Sequence, residues 1–372
     1  MTTFLELGIS KAYIKALNEL NIISPTEIQE AVIPKLLDTK TDLIGLAQTG
    51  TGKTAAFGLP ILNSIDSNKR EVQGLIIAPT RELVQQIKKQ LFKFTKYIDD
   101  KIFVEGVYGG EKIERQIKAL TRPTHIVVAT PGRLLDLIER KAIDIKNVKT
   151  LILDEADEML SMGFKEDLNK ILKYNTHKRN TWLFSATMPE EIKLIVKNYM
   201  SVDAIRIEVN KNAVVNKNIS HYYIKTEIKN KLNIITKLLN KRQNERGIIF
   251  CRTKAGAKKL AKQLQDEGFA VDALEGDMQQ RERDKVMRAF KNESLQFLVS
   301  TDVAARGIDV NKLAFVLHHQ LPDFLEYYTH RSGRTARAGK KGQSIALIIP
   351  SEMQKVIDAQ KKLGVTFSEM KM

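Results

Sequence analysis

The segment Ala47-Gln48-Thr49-Gly50-Thr51-Gly52-Lys53-Thr54 combines glycines, hydroxyls and one lysine at a spacing suited to phosphate. Glycine lets the main chain turn tightly, so that Gln48, Thr49, Gly50, Thr51 and Gly52 can aim N–H groups at phosphate oxygens. Lys53 at this spacing reaches β- and γ-phosphate oxygens, and the hydroxyl of Thr54 can ligate Mg²⁺. Downstream, Asp154-Glu155-Ala156-Asp157 follows the apolar run Thr150-Leu151-Ile152-Leu153. A carboxylate such as Asp154 at a strand end can hold Mg²⁺ through its water shell. Its neighbour Glu155 can orient or deprotonate an attacking water. Further still lies His330-Arg331-Ser332-Gly333-Arg334-Thr335-Ala336-Arg337, dense in arginine. A phosphate loop, a carboxylate pair and arginines are the parts that ATP hydrolysis uses. Each alone has a blander origin: a Gly/Thr-rich turn, a solvated acidic loop, an exposed basic face. A strand before the loop, a helix after it and the acidic pair elsewhere make the phosphate reading the stronger one.

Those residues need a scaffold, and the chain supplies one twice. Short β-branched runs alternate with longer amphipathic stretches. In the first half the runs are 42–48, 74–79, 102–108, 125–130, 150–153 and 181–185, with helical patterns such as 81–94 and 110–120 between them. In the second half they are 221–225, 247–251, 270–274, 296–300, 314–318 and 344–349. Continuous Val/Ile/Leu runs mark strands buried on both faces, and strands alternating with helices mean parallel sheets with helical crossovers. The expectation is an α/β protein of two domains, each a mostly parallel sheet flanked by helices. The stretch Val209–Asn218 holds four asparagines and no periodicity, which suits a flexible linker. This gives a first domain over 1–208, a linker over 209–219 and a second domain over 220–372.

At 372 residues, 43% hydrophobic and 28% charged, the chain is long enough for two cores and unlike a disordered one. Lys and Arg number 60 against 44 Asp and Glu, a net charge of +16 that suits a polyanionic partner as well as a solvated basic surface. The single cysteine, Cys251, sits in an apolar run and can form neither an internal disulfide nor a zinc site, so it is expected in the core. No apolar stretch reaches the roughly 20 residues that span a bilayer, and the N-terminus lacks a charged-then-apolar leader pattern. No membrane association and a cytoplasmic, reducing location are expected.

The order and wording of the phosphate loop, the Asp-Glu-Ala-Asp tetrad and the arginine cluster resemble DEAD-box RNA helicases. The resemblance runs from about Phe4 to Pro350 and implies two RecA-like lobes, ATP and Mg²⁺ as cofactors, and RNA as partner. Within it, Asn21-Ile22-Ile23-Ser24-Pro25-Thr26-Glu27-Ile28-Gln29 is similar to the family's adenine-reading segment, with Phe4 at the family's spacing upstream. Thr26 and Gln29 are its implied adenine-side residues. The Gln29 amide offers one donor group and one acceptor to the base edge. Relatives stack an aromatic residue on adenine where this chain has Ile22. A capped helix start at Ser24-Pro25 is the structural expectation for the same residues. Thr301-Asp302-Val303-Ala304-Ala305-Arg306-Gly307-Ile308-Asp309 resembles motif V, and Asp309 is implied to reach the ribose.

The resemblance makes Arg334 and Arg337 arginine fingers; three apart, they share a face if helical. They lie in the second half and the phosphate loop in the first, so the resemblance implies closure of two lobes on ATP. Ser332 and Ala336 replace the commoner Ile and Gly. The hydroxyls of Ser185 and Thr187 can hydrogen-bond the tetrad at Asp157. In relatives that link, with His330, couples hydrolysis to strand separation. Implied RNA contacts are Pro79, Thr80, Arg81, Gly109, Gly110, Thr130, Gly132 and Arg133 in the first half. In the second they are Arg252, Gln280, Arg283 and Thr301. Glycine lets the main chain approach phosphate while Arg and Thr donate to it, so sequence-independent backbone reading is expected. Aromatics make up only 6% and do not cluster with these segments. The implied activity is ATP-dependent remodelling of RNA duplexes. The alternatives are an ATP-gated RNA clamp with slow turnover and a DNA translocase; RNA-stimulated ATPase and RNA–DNA competition separate them.

Overall fold

Strands that lose both faces to neighbours must sit inside a sheet, and the apolar runs do so. The computed structural model describes residues 2–48, 50–174, 179–209, 218–305, 313–336 and 340–371. The chain divides into two compact units, Met1–Val209 and Asn210–Met372. Residues 210–217 of the expected linker lie outside the described residues.

The first unit holds β1 (Leu43–Leu46), β2 (Gly74–Ile77), β3 (Val104–Val107), β4 (Ile126–Ala129), β5 (Thr150–Leu153), β6 (Asn180–Ser185) and β7 (Ile205–Glu208). They form one sheet in the order β3-β4-β2-β5-β6-β1-β7 with parallel pairing throughout. The second unit holds β8 (Ile219–Lys225), β9 (Gly247–Phe250), β10 (Val271–Leu274), β11 (Phe297–Ser300), β12 (Phe315–His318), β13 (Gly342–Ile348) and β14 (Phe367–Glu369). Their order, β10-β11-β9-β12-β13-β8-β14, is the first order with seven added to each number. These pairings are parallel too. Crossovers between parallel strands are helical here, for example Lys53–Asn63, Arg81–Phe94 and Pro131–Glu139.

β1, β2, β4 and β5 are buried at every position, as their almost wholly apolar composition requires. Two strands differ from the sequence expectation by being present at all. β7 alternates half-buried and exposed residues, and β14 has one buried residue of three. Both are edge strands, which need cover on one face only and so carry no continuous apolar run.

Apolar side chains fill both faces of the first sheet. Phe57, Ile87, Phe94 and Phe184 lie on one side, and Leu137, Leu151, Met159 and Leu183 on the other. Trp182 in β6 is buried and its indole N–H donates to the Thr41 carbonyl at 3.2 Å. In the second unit Ile249, Phe297 and Phe315 centre one face. Cys251 is buried there, and burial pushes its thiol up to about 12, as expected of an inert core residue. Among the described residues, no helix is long and apolar enough to cross a membrane.

Candidate functional site

β1 delivers residues 47–52 to its carboxyl end, and the helix Lys53–Asn63 starts at once. The turn needs glycine at two places: φ is +82° at Gly50 and +94° at Gly52. Thr51 Oγ1 donates to the Gln48 carbonyl at 2.7 Å, which closes the loop. Lys53 is buried and its Nζ donates to the Ala47 carbonyl at 2.8 Å, so the ammonium lies across the loop's mouth. Thr54 is half-buried in the first helical turn. Thr49 lies outside the described residues.

β5 ends in the acidic tetrad, at the same carboxyl edge of the sheet. Asp154 N–H still pairs with the Ile77 carbonyl at 2.9 Å, so the strand holds this side chain in place. Glu155 then turns left-handed, φ 51° and ψ 52°, a conformation that costs about 1 kcal/mol or more for a non-glycine residue. Asp154, Glu155 and Asp157 are all buried. Burial raises the Asp154 carboxyl to about 7; Lys53 pulls it down, and Glu155 and Asp157 push it up. Glu155 Oε2 is buried without a hydrogen-bond partner. A buried carboxylate held near neutrality beside an orphaned carboxylate oxygen fits a cation and a water. Among the described residues no group of three or more His, Cys, Asp or Glu could hold an ion.

The tetrad's last acid ties β5 to β6. Asp157 Oδ2 accepts from the N–H and the Oγ1 of Thr187, both at 2.8 Å, and Asp157 N–H donates to Ser185 Oγ at 3.3 Å. Asp157, Ser185 and Thr187 are thus one cluster in the first unit, while His330, the fourth residue expected to take part, lies in the second.

The adenine-side segment differs from expectation in three ways. The helix begins at Glu27 with Thr26 as its cap, two residues beyond Ser24. Thr26 N–H donates to Gln29 Oε1 at 3.0 Å, which explains the later start: the amide three residues on reaches back to the cap. Gln29 Nε2 also donates to the Gly52 carbonyl at 2.9 Å. The amide therefore retains one N–H and one lone pair for a base, and it fastens this helix to the phosphate loop. A Cβ on Gly52 would stand 2.3 Å from that nitrogen, so only glycine fits. Phe4 is buried in the apolar core with Leu7, Ile28 and Val32, so it supports the segment and presents no face to a ligand. Ile22 is half-buried against the same core.

Among the first unit's expected RNA residues, Gly109, Gly110 and Gly132 are exposed and Thr130 is half-buried. Pro79 and Thr80 are buried, and Thr80 Oγ1 caps the helix Arg81–Phe94 by accepting from Leu83 N–H at 3.3 Å. The Arg81 guanidinium lies 4.8 Å from the centre of the Tyr108 ring. Arg133 departs from expectation. Its guanidinium donates to the Glu111 carbonyl at 3.2 and 3.1 Å and to Gln116 Oε1 at 2.9 Å. Its donors hold the turn after Gly109-Gly110 in place, because that turn leaves the Glu111 carbonyl without a strand partner. Buried Gln116 completes the clamp by donating to the Tyr108 carbonyl at 2.9 Å; a lone Gln in a helical pattern gave no sign of this.

In the second unit Arg252 is exposed and ion-paired with Asp323. Gln280 Nε2 donates to Asp284 Oδ1 at 2.7 Å, and Arg283 Nη2 donates to the Ala304 carbonyl at 2.7 Å. Thr301 is buried at the end of β11. The helix Leu325–Ser332 carries His330 and stops at Gly333, so Arg334 stands in the turn beyond it. Both His330 and Arg334 are buried. Ala336 adopts φ +55°, the region glycine prefers, which accounts for Gly being the commoner residue. Asp309 and Arg337 lie outside the described residues.

Residues 26–195 match the family model described as DEAD/DEAH box helicase, and residues 230–339 match that of the helicase conserved C-terminal domain. The chain is 44% identical over 352 residues to the DEAD-box ATP-dependent RNA helicase CshA of Bacillus cereus, covering 95% of this chain and 66% of that protein. Against CshA of Geobacillus kaustophilus the identity is 43% over 353 residues, covering 95% and 75%. Yeast (S. cerevisiae) Dbp5 bound to RNA and ADP BeF3 superposes with a TM-score of 0.92 at 29% identity, covering 100% of this chain and 96% of that one. Mss116p bound to ssRNA and AMP-PNP gives 0.88 at 30%, covering 100% and 80%. A buried lysine across a glycine loop, an acidic tetrad at the same carboxyl edge one strand further across the sheet and two RecA-like sheets agree with these matches, and the chain belongs to the DEAD-box family of RNA helicases.

Proposed function

We propose that the chain is an ATP-dependent RNA helicase that remodels RNA through its sugar-phosphate backbone. Residues 1–208 form the nucleotide-binding domain, 209–219 the linker and 220–372 the second domain. The observation that carries the reading is the meeting of Lys53, Asp154 and Glu155 at one carboxyl edge, the place where open α/β sheets bind ligands. The main-chain N–H groups of residues 48–54 hold the phosphates, and Lys53 leaves the Ala47 carbonyl to meet the β- and γ-oxygens. Asp154 and Thr54 hold Mg²⁺, which supplies charge neutralisation on the phosphates. Glu155, its Oε2 unbonded, accepts a proton from the attacking water or orients it. Gln29 selects adenine with its remaining N–H and lone pair, and Asp309 meets the ribose. Arg334 and Arg337 stabilise charge on the transferring phosphate, so turnover needs both units.

Asp157, Ser185, Thr187 and His330 link nucleotide state to RNA. The Gly109-Gly110 turn, Thr80, Arg81, Thr130 and Gly132, with Arg252, Gln280, Arg283 and Thr301, contact RNA phosphates and sugars, and Arg133 shapes the turn. A cytoplasmic setting accords with a single buried thiol. The test is ATP hydrolysis with and without single-stranded RNA or matched DNA, alongside strand release from short RNA duplexes. RNA-stimulated hydrolysis with strand release is expected. RNA-stimulated binding with negligible turnover would instead identify an ATP-gated clamp, and stimulation by DNA alone would overturn the RNA assignment.

A further inference from the structure

The helix Leu325–Ser332 is fixed to its sheet by polar groups, not only by apolar ones. Tyr328, Arg331 and Ser332, at i, i+3 and i+4, share its inner face. Opposite them, three neighbouring strands each supply one buried polar residue: His221 from β8, Ser344 from β13 and His318 from β12. His221 and Ser344 are register partners, so both point to the same side of the sheet. Tyr328, Ser332, Ser344 and His318 are 0% exposed.

The protons in this cluster have one consistent direction. Arginine can only donate, so Arg331 Nη1, 3.4 Å from His318 Nδ1, makes that nitrogen the acceptor. His318 Nε2 then carries the hydrogen and donates to Ser344 Oγ at 2.9 Å. Ser332 Oγ also donates to Ser344 Oγ at 2.9 Å, filling its second lone pair. Ser344 passes its own hydrogen to the Tyr328 hydroxyl at 3.1 Å, and Tyr328 donates to His221 Nδ1 at 2.6 Å. No hydroxyl or imidazole is asked to donate twice or to accept beyond its lone pairs. Both imidazoles must be neutral, and burial agrees: it pushes His221 down to about 4 and His318 well below the usual histidine range. At its other end Arg331 is held bidentately by Asp302, Nε to Oδ1 at 2.5 Å and Nη2 to Oδ2 at 2.7 Å.

The turn that bears Arg334 hangs from this anchored face. Arg334 N–H donates to the Arg331 carbonyl at 3.0 Å, and Thr335 N–H to the Ser332 carbonyl at 3.2 Å. A rotation of the helix would move Arg334 with it. An apolar interface tolerates such rotation, whereas a directed hydrogen-bond series allows one azimuth. We propose that the series His221–Tyr328–Ser344–His318–Arg331, joined by Ser332, positions Arg334 for phosphoryl transfer by fixing the rotation of the helix Leu325–Ser332. The residues of the series are positioning residues, and the inference rests on Arg334 acting on the transferring phosphate.

The test uses the full chain with Ser332→Ala, Tyr328→Phe, Arg334→Ala and the double variant Ser332→Ala/Arg334→Ala. Tyr328→Phe keeps the ring that stacks 4.8 Å from His318 and removes only the hydroxyl, so it tests the series even if Ser332→Ala does not fold. RNA-stimulated kcat should fall roughly tenfold in Ser332→Ala and in Tyr328→Phe, with KM for ATP and RNA affinity unchanged, because a small misplacement of a catalytic group costs turnover first. The double variant should be no slower than Arg334→Ala alone. Wild-type kcat in folded Tyr328→Phe, while Arg334→Ala is crippled, would overturn the positioning role and leave the finger assignment standing. An additive loss in the double variant would also overturn it, since the series would then act by another route. Normal turnover in Arg334→Ala would defeat the finger assignment itself, and the positioning role with it.

Discussion

Strands β5 and β6 of the first unit occupy the places of β12 and β13 in the second. In the first unit the polar side chains gather where the strands stop. Asp154, Glu155 and Asp157 follow β5, while Ser185 closes β6 with Thr187 just beyond. One of their oxygens, Glu155 Oε2, is buried with nothing to bond. In the second unit the polar groups lie in the sheet itself, with Ser344 inside β13 and His221 inside β8, and they satisfy one another through Tyr328. Buried polar groups are normally paired, so an orphan at a strand end marks where a ligand belongs. A fully paired set marks a part to be held still. One strand order thus serves two purposes: a place to bind and a mount for a helix.

Lys53→Ala attacks the first half of that comparison hardest. It should lower ATP turnover by about 10³-fold or more, since it removes the ammonium that lies across the loop, while the folding midpoint hardly moves because alanine suits a helix start. ATPase assays with a thermal melt check both. Glu155→Gln should cut hydrolysis by roughly 10²–10³-fold and leave ATP and RNA bound together, because the amide keeps the shape and loses the base. RNA release as fast as wild type under excess ATP would count against it.

The second unit's paired set is sensitive to acid. His221 is pushed down to about 4 from an ordinary value of 6.5, so its neutral form is favoured by folding. That stability is full above pH 6.5 and is lost as pH falls towards 4, by about 3 kcal/mol at pH 4. His318 acts in the same direction, because burial first, and then Arg331 and His221, oppose its protonation. Urea midpoints followed by far-ultraviolet circular dichroism from pH 7 to pH 4 should show the loss, and His221→Asn should flatten it. Ile22→Phe probes the binding half more gently. A ring able to lie on adenine should tighten ATP by roughly 1–3 kcal/mol without relaxing preference over GTP. Titration of both nucleotides decides, and unchanged affinity would place the base elsewhere. Smallest of all, Ala336→Gly should raise stability by up to about 1 kcal/mol, because a left-handed alanine becomes an unstrained glycine. A lower urea midpoint would show that chain entropy outweighs the strain.

What could be read from residue order was whatever is local. The phosphate loop, the tetrad and the buried strands announce themselves within a few positions, and they stand where their spacing implies. What could not be read depends on contacts between distant segments. Arg133 looks like a phosphate donor until the Glu111 carbonyl is seen to need it. Gln29 looks free for adenine until Gly52 is seen to take one of its hydrogens. Phe4 gives no hint that it is core rather than cover. The edge strands β7 and β14 carry too little apolar pattern to stand out. His221, His318 and Ser344 left a faint mark, each a polar residue in an otherwise apolar run, but a single polar residue says nothing about its partner.

Trp182 gives the molecule an optical label. It is the only tryptophan of the chain, it lies in β6 three residues before Ser185, and its indole bonds to the Thr41 carbonyl just ahead of β1. Its emission therefore comes from the first unit alone, from the strand between the phosphate loop and the acidic tetrad. Fluorescence can follow that strand pair in the unmodified protein, with no dye attached, while ultraviolet absorption of the nine tyrosines samples the whole chain.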